Sequence, residues 1–195
     1  MNQAVLIERL ILSAEFLWMA LALVWVVSAL RTKRTVQRQS SASQFLYTAI
    51  LVIGVYLIFT KQIGTLWLDR PLFPVTVSIA LAGLLAVLTG VAFSIWSRLI
   101  LGGNWSNSVT VKENHTLVRR GPYRIARHPI YSGILLGMAG SALQRGGVRC
   151  FIGVVICGFS FWLKSRAEER FMVQQFGEEY LQYRHEVKAL APFIF

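Results

Sequence analysis

Long uncharged runs constrain this chain more than anything else in it. Leu10–Leu30 and Val75–Ile100 are each long enough to cross a bilayer, and Phe45–Thr60, extended by the interfacial stretch to Trp67, adds another. Two shorter runs follow, Ile130–Leu143 and Val148–Leu163, separated only by Gln144-Arg145-Gly146-Gly147. Each is short for an independent span, so a tight helical hairpin extended by boundary residues is expected. Mean hydropathy of +0.54 and a charged fraction of 15% suit no ordinary soluble domain of 195 residues. The expected fold is therefore all-α: a polytopic integral membrane protein of about five transmembrane helices, with a C-terminal helical hairpin and an amphipathic tail. The punctuation at Asp69-Arg70-Pro71 and Pro74 divides it into an N-terminal transmembrane hairpin, 1–72, and a core, 73–195.

A net charge of +11 raises the possibility of nucleic acid, and its location argues against it. Arg31–Gln44 carries Arg31, Lys33, Arg34 and Arg38 with no acid, and Arg98–Pro129 carries six basic residues against Glu113. Those two connectors hold nine of the eleven excess charges. In a five-span chain they lie on one side together with the C-terminus, which the positive-inside rule assigns to the cytoplasm. Arg145 and Arg149, in the opposite turn, run against that pattern. Cys150 and Cys157, seven apart in an apolar run, read as packing residues, and no metal site is expected. The compact form without extra targeting segments suggests a bacterial inner membrane. Glu15, inside the first run, is expected to snorkel or face a neighbouring helix.

Packing signals lie inside the runs. Ser78, Ala82, Ala86 and Gly90 form a small-residue stripe at four-residue spacing, and Gly133, Gly137 and Ser141 are expected to pack the first arm of the hairpin on its second. Past Leu163 the pattern turns amphipathic, with Gly177 as a helix stop and a further helix over Glu178–Val187.

The chemistry concentrates at Arg119–Gly133, where four arginines and His128 abut the start of an apolar segment. Pro129 suits the first position of a helix. Such a start would aim Arg127, His128 and Tyr131 at one place, beside unpaired backbone N–H groups and a positive dipole end. Two readings stand: a pocket for an anionic group at the membrane surface, or a basic anchor holding lipid phosphate. Lys164 and Glu168, four apart, share one helix face, and the acid pair at Glu168 opposite the arginines is either an ion-pair network closing the fold or part of a ligand site.

In order, Leu101-Gly-Gly-Asn-Trp-Ser106, His115-Thr-Leu-Val118, Gly121-Pro-Tyr-Arg124 and Arg127-His-Pro-Ile-Tyr-Ser-Gly133 precede the hairpin. Glu168-Glu169 and Phe176-Gly-Glu-Glu-Tyr-Leu-Gln-Tyr183 follow it. This combination, spanning nearly half the chain, resembles the isoprenylcysteine carboxyl methyltransferase family, to which the membrane phospholipid N-methyltransferases are related. The resemblance implies S-adenosylmethionine as cofactor, with a pocket lined by His115, Thr116, Leu117, Val118, Tyr123, His128, Pro129, Ile130 and Tyr131. Glu168 would accept from the methionyl ammonium.

It also implies methyl transfer by direct displacement to a lipid or prenylated acceptor entering from the membrane, with Arg127 orienting the acceptor carboxylate. Where the family has an arginine at the substrate carboxylate, four residues before the first glutamate, this chain has Lys164, which keeps the charge and loses the planar fork. A smaller isoprenoid or another lipid acid is then as suitable an acceptor as a prenylated protein terminus. Competing classes are a lipid-amine N-methyltransferase, an NADPH-dependent sterol-type reductase, and a non-enzymatic lipid-binding or transport protein. The oligomeric state is not legible.

Overall fold

A computed structural model describes residues 2–29, 35–38, 41–61, 63–64, 67–104, 110–112 and 116–190. Six α-helices dominate: α1 (Gln3–Ala29), α2 (Ser41–Phe59), α3 (Val77–Leu101), α4 (Pro129–Arg145), α5 (Val148–Phe176) and α6 (Glu178–Glu186). α1, α2, α3 and α5 are long and apolar enough to cross a membrane. α4 has 17 residues, about 26 Å at about 1.5 Å per residue, a little short of a full span, so four of the described helices reach spanning length where about five are expected. The chain is a multi-span membrane protein. The two basic connectors also meet in a small antiparallel ribbon of β1 (Thr35–Arg38) and β2 (Thr110–Lys112).

Helix ends fall where the punctuation requires. The Thr76 hydroxyl accepts from the Ile79 N–H at 3.3 Å and opens α3, and Pro129 occupies the first turn of α4. Gly146, at φ 66°, closes α4 in the left-handed conformation that a side chain disfavours. Between Val148 and Phe176 no breaker intervenes, so α5 runs for 29 residues, about 44 Å. That exceeds a hydrocarbon core of about 30 Å, so the helix is too long to lie wholly within one, and the apolar run ends at Leu163. The overhang, from Lys164 onward, carries the acidic residues of the site.

The packing departs from two expectations. The small residues of α4 face α3 and α1, and its contact with α5 is made by larger side chains, Met138 beside Cys157 and Tyr131 on Phe161. A Cβ on Gly140 would meet the Gly83 carbonyl at 2.5 Å, and the Trp18 indole donates to the Ser141 hydroxyl at 3.0 Å. α5 packs instead on α2, where a Cβ on Gly153 would sit 2.6 Å from the Gly54 carbonyl. The stripe on α3 also differs: Ser78 and Ala82 are exposed, while Gly83, Val87, Gly90 and Ser94 are buried. A strict four-residue spacing drifts about 40° per step around a helix of 3.6 residues per turn, and the alternation of four and three keeps to one face.

Buried arginines tie the ends of the bundle. Arg98 donates to the carbonyls of Ser28, at the end of α1, and Gly102, each at 2.8 Å. At the opposite end Arg149 donates to Leu57 and Lys61 carbonyls at 2.7 and 2.8 Å and pairs with Asp69 at 3.0 Å. Both satisfy helix C-terminal carbonyls that have no partner within their own helix. Arg145 pairs with Glu15 at 3.1 Å, so the glutamate in the first span faces a neighbouring helix. The two free cysteines are buried packing residues.

Candidate active site

At the end of the bundle that carries the basic connectors, the start of α4, the overhang of α5 and the C-terminal segment converge. Two main-chain hydrogen bonds fix the segment: Arg127 N–H to the Lys188 carbonyl at 2.8 Å, and His128 N–H to the Ala189 carbonyl at 2.9 Å. Ser132 Oγ adds a bond to the Leu190 carbonyl. With His128 as N-cap and Pro129 at the first turn, the His128 and Tyr131 side chains both point at α5.

Glu168 and Glu169 receive them. The Tyr131 hydroxyl donates to Glu168 Oε1 at 2.6 Å. His128 Nδ1 lies 3.3 Å from Glu168 Oε2, and its Nε2 lies 3.3 Å from Glu169 Oε1. An imidazole that faces a carboxylate on each nitrogen is best served by two N–H donors, which only the protonated ring has. Burial pulls its pKa down, but the hydrogen bonds and charges of Glu168 and Glu169 outweigh it and hold the ring above its ordinary value.

Aromatic rings frame the Glu168 side. Tyr131 stacks on Phe161 with centroids 4.8 Å apart and on His128 at 5.6 Å. The Lys164 ammonium lies 5.4 Å from the Tyr131 ring centre and 5.9 Å from that of Tyr47, on α2. Phe161, Lys164 and Glu168 follow one another at three- and four-residue steps and so share a face of α5.

Arg127 takes the other side. Its Nε and Nη2 donate to Glu169 Oε1 at 2.9 and 2.6 Å, and its Nη1 donates to the carbonyls of Arg184, at 3.1 Å, and Val187. Arg184 Nε stands 3.5 Å from Glu169 Oε2. Arg127 thus joins α5, α6 and the C-terminal segment from within the protein.

The remaining residues named from sequence are more scattered. Thr116 is exposed, Leu117 and Val118 are half-buried, and His115 lies outside the described residues. Pro129 and Ile130 are buried, and the Ile130 carbonyl accepts from Ser94 Oγ at 3.2 Å, on the α3 side. Tyr123 is buried, its hydroxyl 3.5 Å from the Ser97 carbonyl, and its own carbonyl accepts from the Tyr183 hydroxyl at 2.5 Å. Burial, reinforced by the charge of Glu168, raises its pKa strongly and keeps the phenol neutral. Glu169, Phe161 and Tyr47 are site residues that the sequence reading left out of its candidates. Helical spacing from Glu168 would have found Phe161, whereas nothing local marks Tyr47.

The matching model of the phospholipid methyltransferase family covers residues 78–179, just over half of the chain. The chain belongs to that family. It is 31% identical over 119 residues to a protein-S-isoprenylcysteine O-methyltransferase of Xenopus laevis, covering 60% of this chain and 41% of that protein. To the human protein of the same name it is 29% identical over 119 residues, or 60% and 42% of the two chains. A probable member from Oryza sativa subsp. indica is 27% identical over 60% of this chain and 62% of its own length. The chain therefore spans between about two fifths and three fifths of these relatives. A solved eukaryotic intramembrane Ras methyltransferase, isoprenylcysteine carboxyl methyltransferase, superposes with a TM-score of 0.52 at 20% identity, covering 80% of this chain and 54% of that one. The shared fold is the membrane bundle of that enzyme.

Proposed function

We propose that this member of the phospholipid methyltransferase family is an S-adenosylmethionine-dependent methyltransferase acting on the carboxylate of an isoprenylcysteine-like or other lipid substrate. The observation that carries the reading is the Glu168 cluster: a carboxylate bonded by Tyr131 and His128, beside a lysine held over two tyrosine rings. Its two hydrogen bonds use about half of the lone-pair sites of a carboxylate, so Glu168, at 22% side-chain exposure, can accept from a ligand ammonium. The donor set fits the cofactor.

When bound, the cofactor supplies an electrophilic methyl group on a positively charged sulfur. The protein's tasks are to hold, orient and exclude water. Glu168 fixes the amino-acid end, and Tyr131 and His128 fix Glu168. The rings of Tyr131 and Tyr47 give a cation an electron-rich surface. A carboxylate acceptor is already ionised near neutral pH and needs no general base, so a charge that positions it suffices. Lys164 is our candidate for that contact. Arg127, with four of its five N–H donors engaged by Glu169 and two carbonyls, acts through them as a positioning residue rather than at the acceptor.

The cluster lies on the side of the two basic connectors, which we assign to the cytoplasm. The arginines that argued against this orientation, Arg145 and Arg149, are each paired with an acid, Glu15 and Asp69, and so weigh little in the charge asymmetry.

A second reading, transfer to a lipid amine, is favoured by the family match over residues 78–179. It requires a base to free the amine, and His128, which both carboxylates favour as the cation, is poorly suited to that task. Incubating the purified protein with labelled methyl donor and a lipid extract separates the two. A base-labile ester supports the carboxylate reading, and a base-stable methylamine supports the other.

A further inference from the structure

α5 presents one uninterrupted face to the surroundings. Val155, Phe159 and Trp162 are exposed on it at 71%, 52% and 45%. At about 100° per residue, Arg166 and Arg170 fall within about 80° of arc of those three. The face that meets lipid in the span therefore continues as arginine beyond it. Along the axis, Arg166 lies about 6 Å and Arg170 about 12 Å past Trp162, at the depth where headgroups begin. The Arg166 guanidinium stacks 5.4 Å above the Trp162 ring, which joins the aromatic belt to the basic patch.

Beside these arginines a groove of about 440 Å³ opens between α5 and α6, lined by Arg166, Glu169, Arg170, Val173, Gln174 and Arg184. Glu169, the one acid in that lining, is paired with Arg127, His128 and Arg184, so Arg166 and Arg170 give the groove a positive excess. A phosphodiester matches it in charge and geometry, since guanidinium forks bind phosphate oxygens pairwise.

We propose that this groove seats the phosphate of an anionic phospholipid from the adjoining leaflet. The lipid would clamp α6 against the membrane surface, with Arg166 and Arg170 as its principal contacts. The site adjoins the Glu169 side of the cluster and not the Glu168 side. It does not depend on which acceptor is methylated.

Native mass spectrometry of the full chain in detergent, titrated with phosphatidylglycerol or phosphatidylcholine, tests it. The wild type should retain one phosphatidylglycerol in preference to phosphatidylcholine. Arg166→Gln/Arg170→Gln should bind phosphatidylglycerol about thirtyfold more weakly, as expected for two arginines at an anionic surface. Arg166→Lys/Arg170→Lys, which keeps the charge and loses the planar forks, should bind with intermediate strength, and an unchanged unfolding midpoint in the glutamine variant shows that its loss is not misfolding. Equal retention by wild type and the glutamine variant would overturn the proposal. So would displacement of the lipid by millimolar inorganic phosphate, because a soluble anion would then be the occupant.

Discussion

Arg127 donates twice to one oxygen of Glu169, Nε at 2.9 Å and Nη2 at 2.6 Å, with both side chains less than a tenth exposed. Removing Arg127 leaves the buried Glu169 carboxylate with only His128, at 3.3 Å, and Arg184, at 3.5 Å, which puts the cost at the lower end of the range of about 3–5 kcal/mol for breaking a buried pair. Arg127→Ala should therefore lower the stability of the detergent-solubilised protein by about 3 kcal/mol, read from thermal or denaturant unfolding. Adding Glu169→Ala should restore part of it, since the buried charge is gone. Full additivity of the two losses would contradict the coupling.

The protonation of His128 gives a pH dependence with a definite sign. Its pKa is raised in the folded protein by Glu168 and Glu169, so the stability it contributes is fully present below its unfolded value of about 6.5 and is lost as pH rises through the folded value. Wild type and His128→Asn should differ most in unfolding midpoint near about pH 6 and converge in alkaline solution. A difference that grew with pH would mean that the ring is held neutral.

Gly90 marks the closest approach of α3 and α4. A Cβ there would strike the Gly133 carbonyl and lie 2.6 Å from the Gly137 amide nitrogen, and both are backbone atoms with little room to yield. Gly90→Ala should destabilise the bundle by about 1–3 kcal/mol, the usual range for overpacking. Substitution at Ala82, which is exposed on the same helix, should be nearly neutral. Comparable losses at both positions would contradict the observed helix register.

Lys164 is assigned to the acceptor and Glu168 to the cofactor, although they lie one turn apart. Lys164→Gln should raise KM for the acceptor about tenfold or more, the loss of one charge-assisted hydrogen bond, and leave S-adenosylhomocysteine affinity within about twofold. A matching fall in cofactor affinity would move Lys164 to the other half of the site.

Much of this was written in the sequence because it depends on local rules. Pro129 at a helix start and Gly177 at a helix end act over a turn or two, apolar runs of bilayer length act along one continuous segment, and each is found where expected. Partner choice is different. Gly133 and Gly137 declared a close packing face without saying which helix would use it, and α3 took it in place of α5. Residue pattern alone set a basic rim near Arg127 opposite acid near Glu168, but that His128 and Tyr131 bond Glu168 itself followed from the resemblance of the ordered motifs, because some forty residues separate them. Glu169 was hidden by its neighbour: adjacent residues on a helix point about 100° apart, so one faces the rings and the other the arginines. Tyr47 comes from α2, and its place over Lys164 follows from tertiary packing alone.

Glu168 is the carboxylate we propose to hold the methyl donor. Calorimetric titration of S-adenosylhomocysteine, with NADPH as control, into wild type and Glu168→Gln in detergent tests it most directly. Wild type should bind S-adenosylhomocysteine and not NADPH, and Glu168→Gln should bind it about 10- to 100-fold more weakly while unfolding at a similar temperature. Undiminished binding by Glu168→Gln, or binding of NADPH in place of S-adenosylhomocysteine, would contradict it.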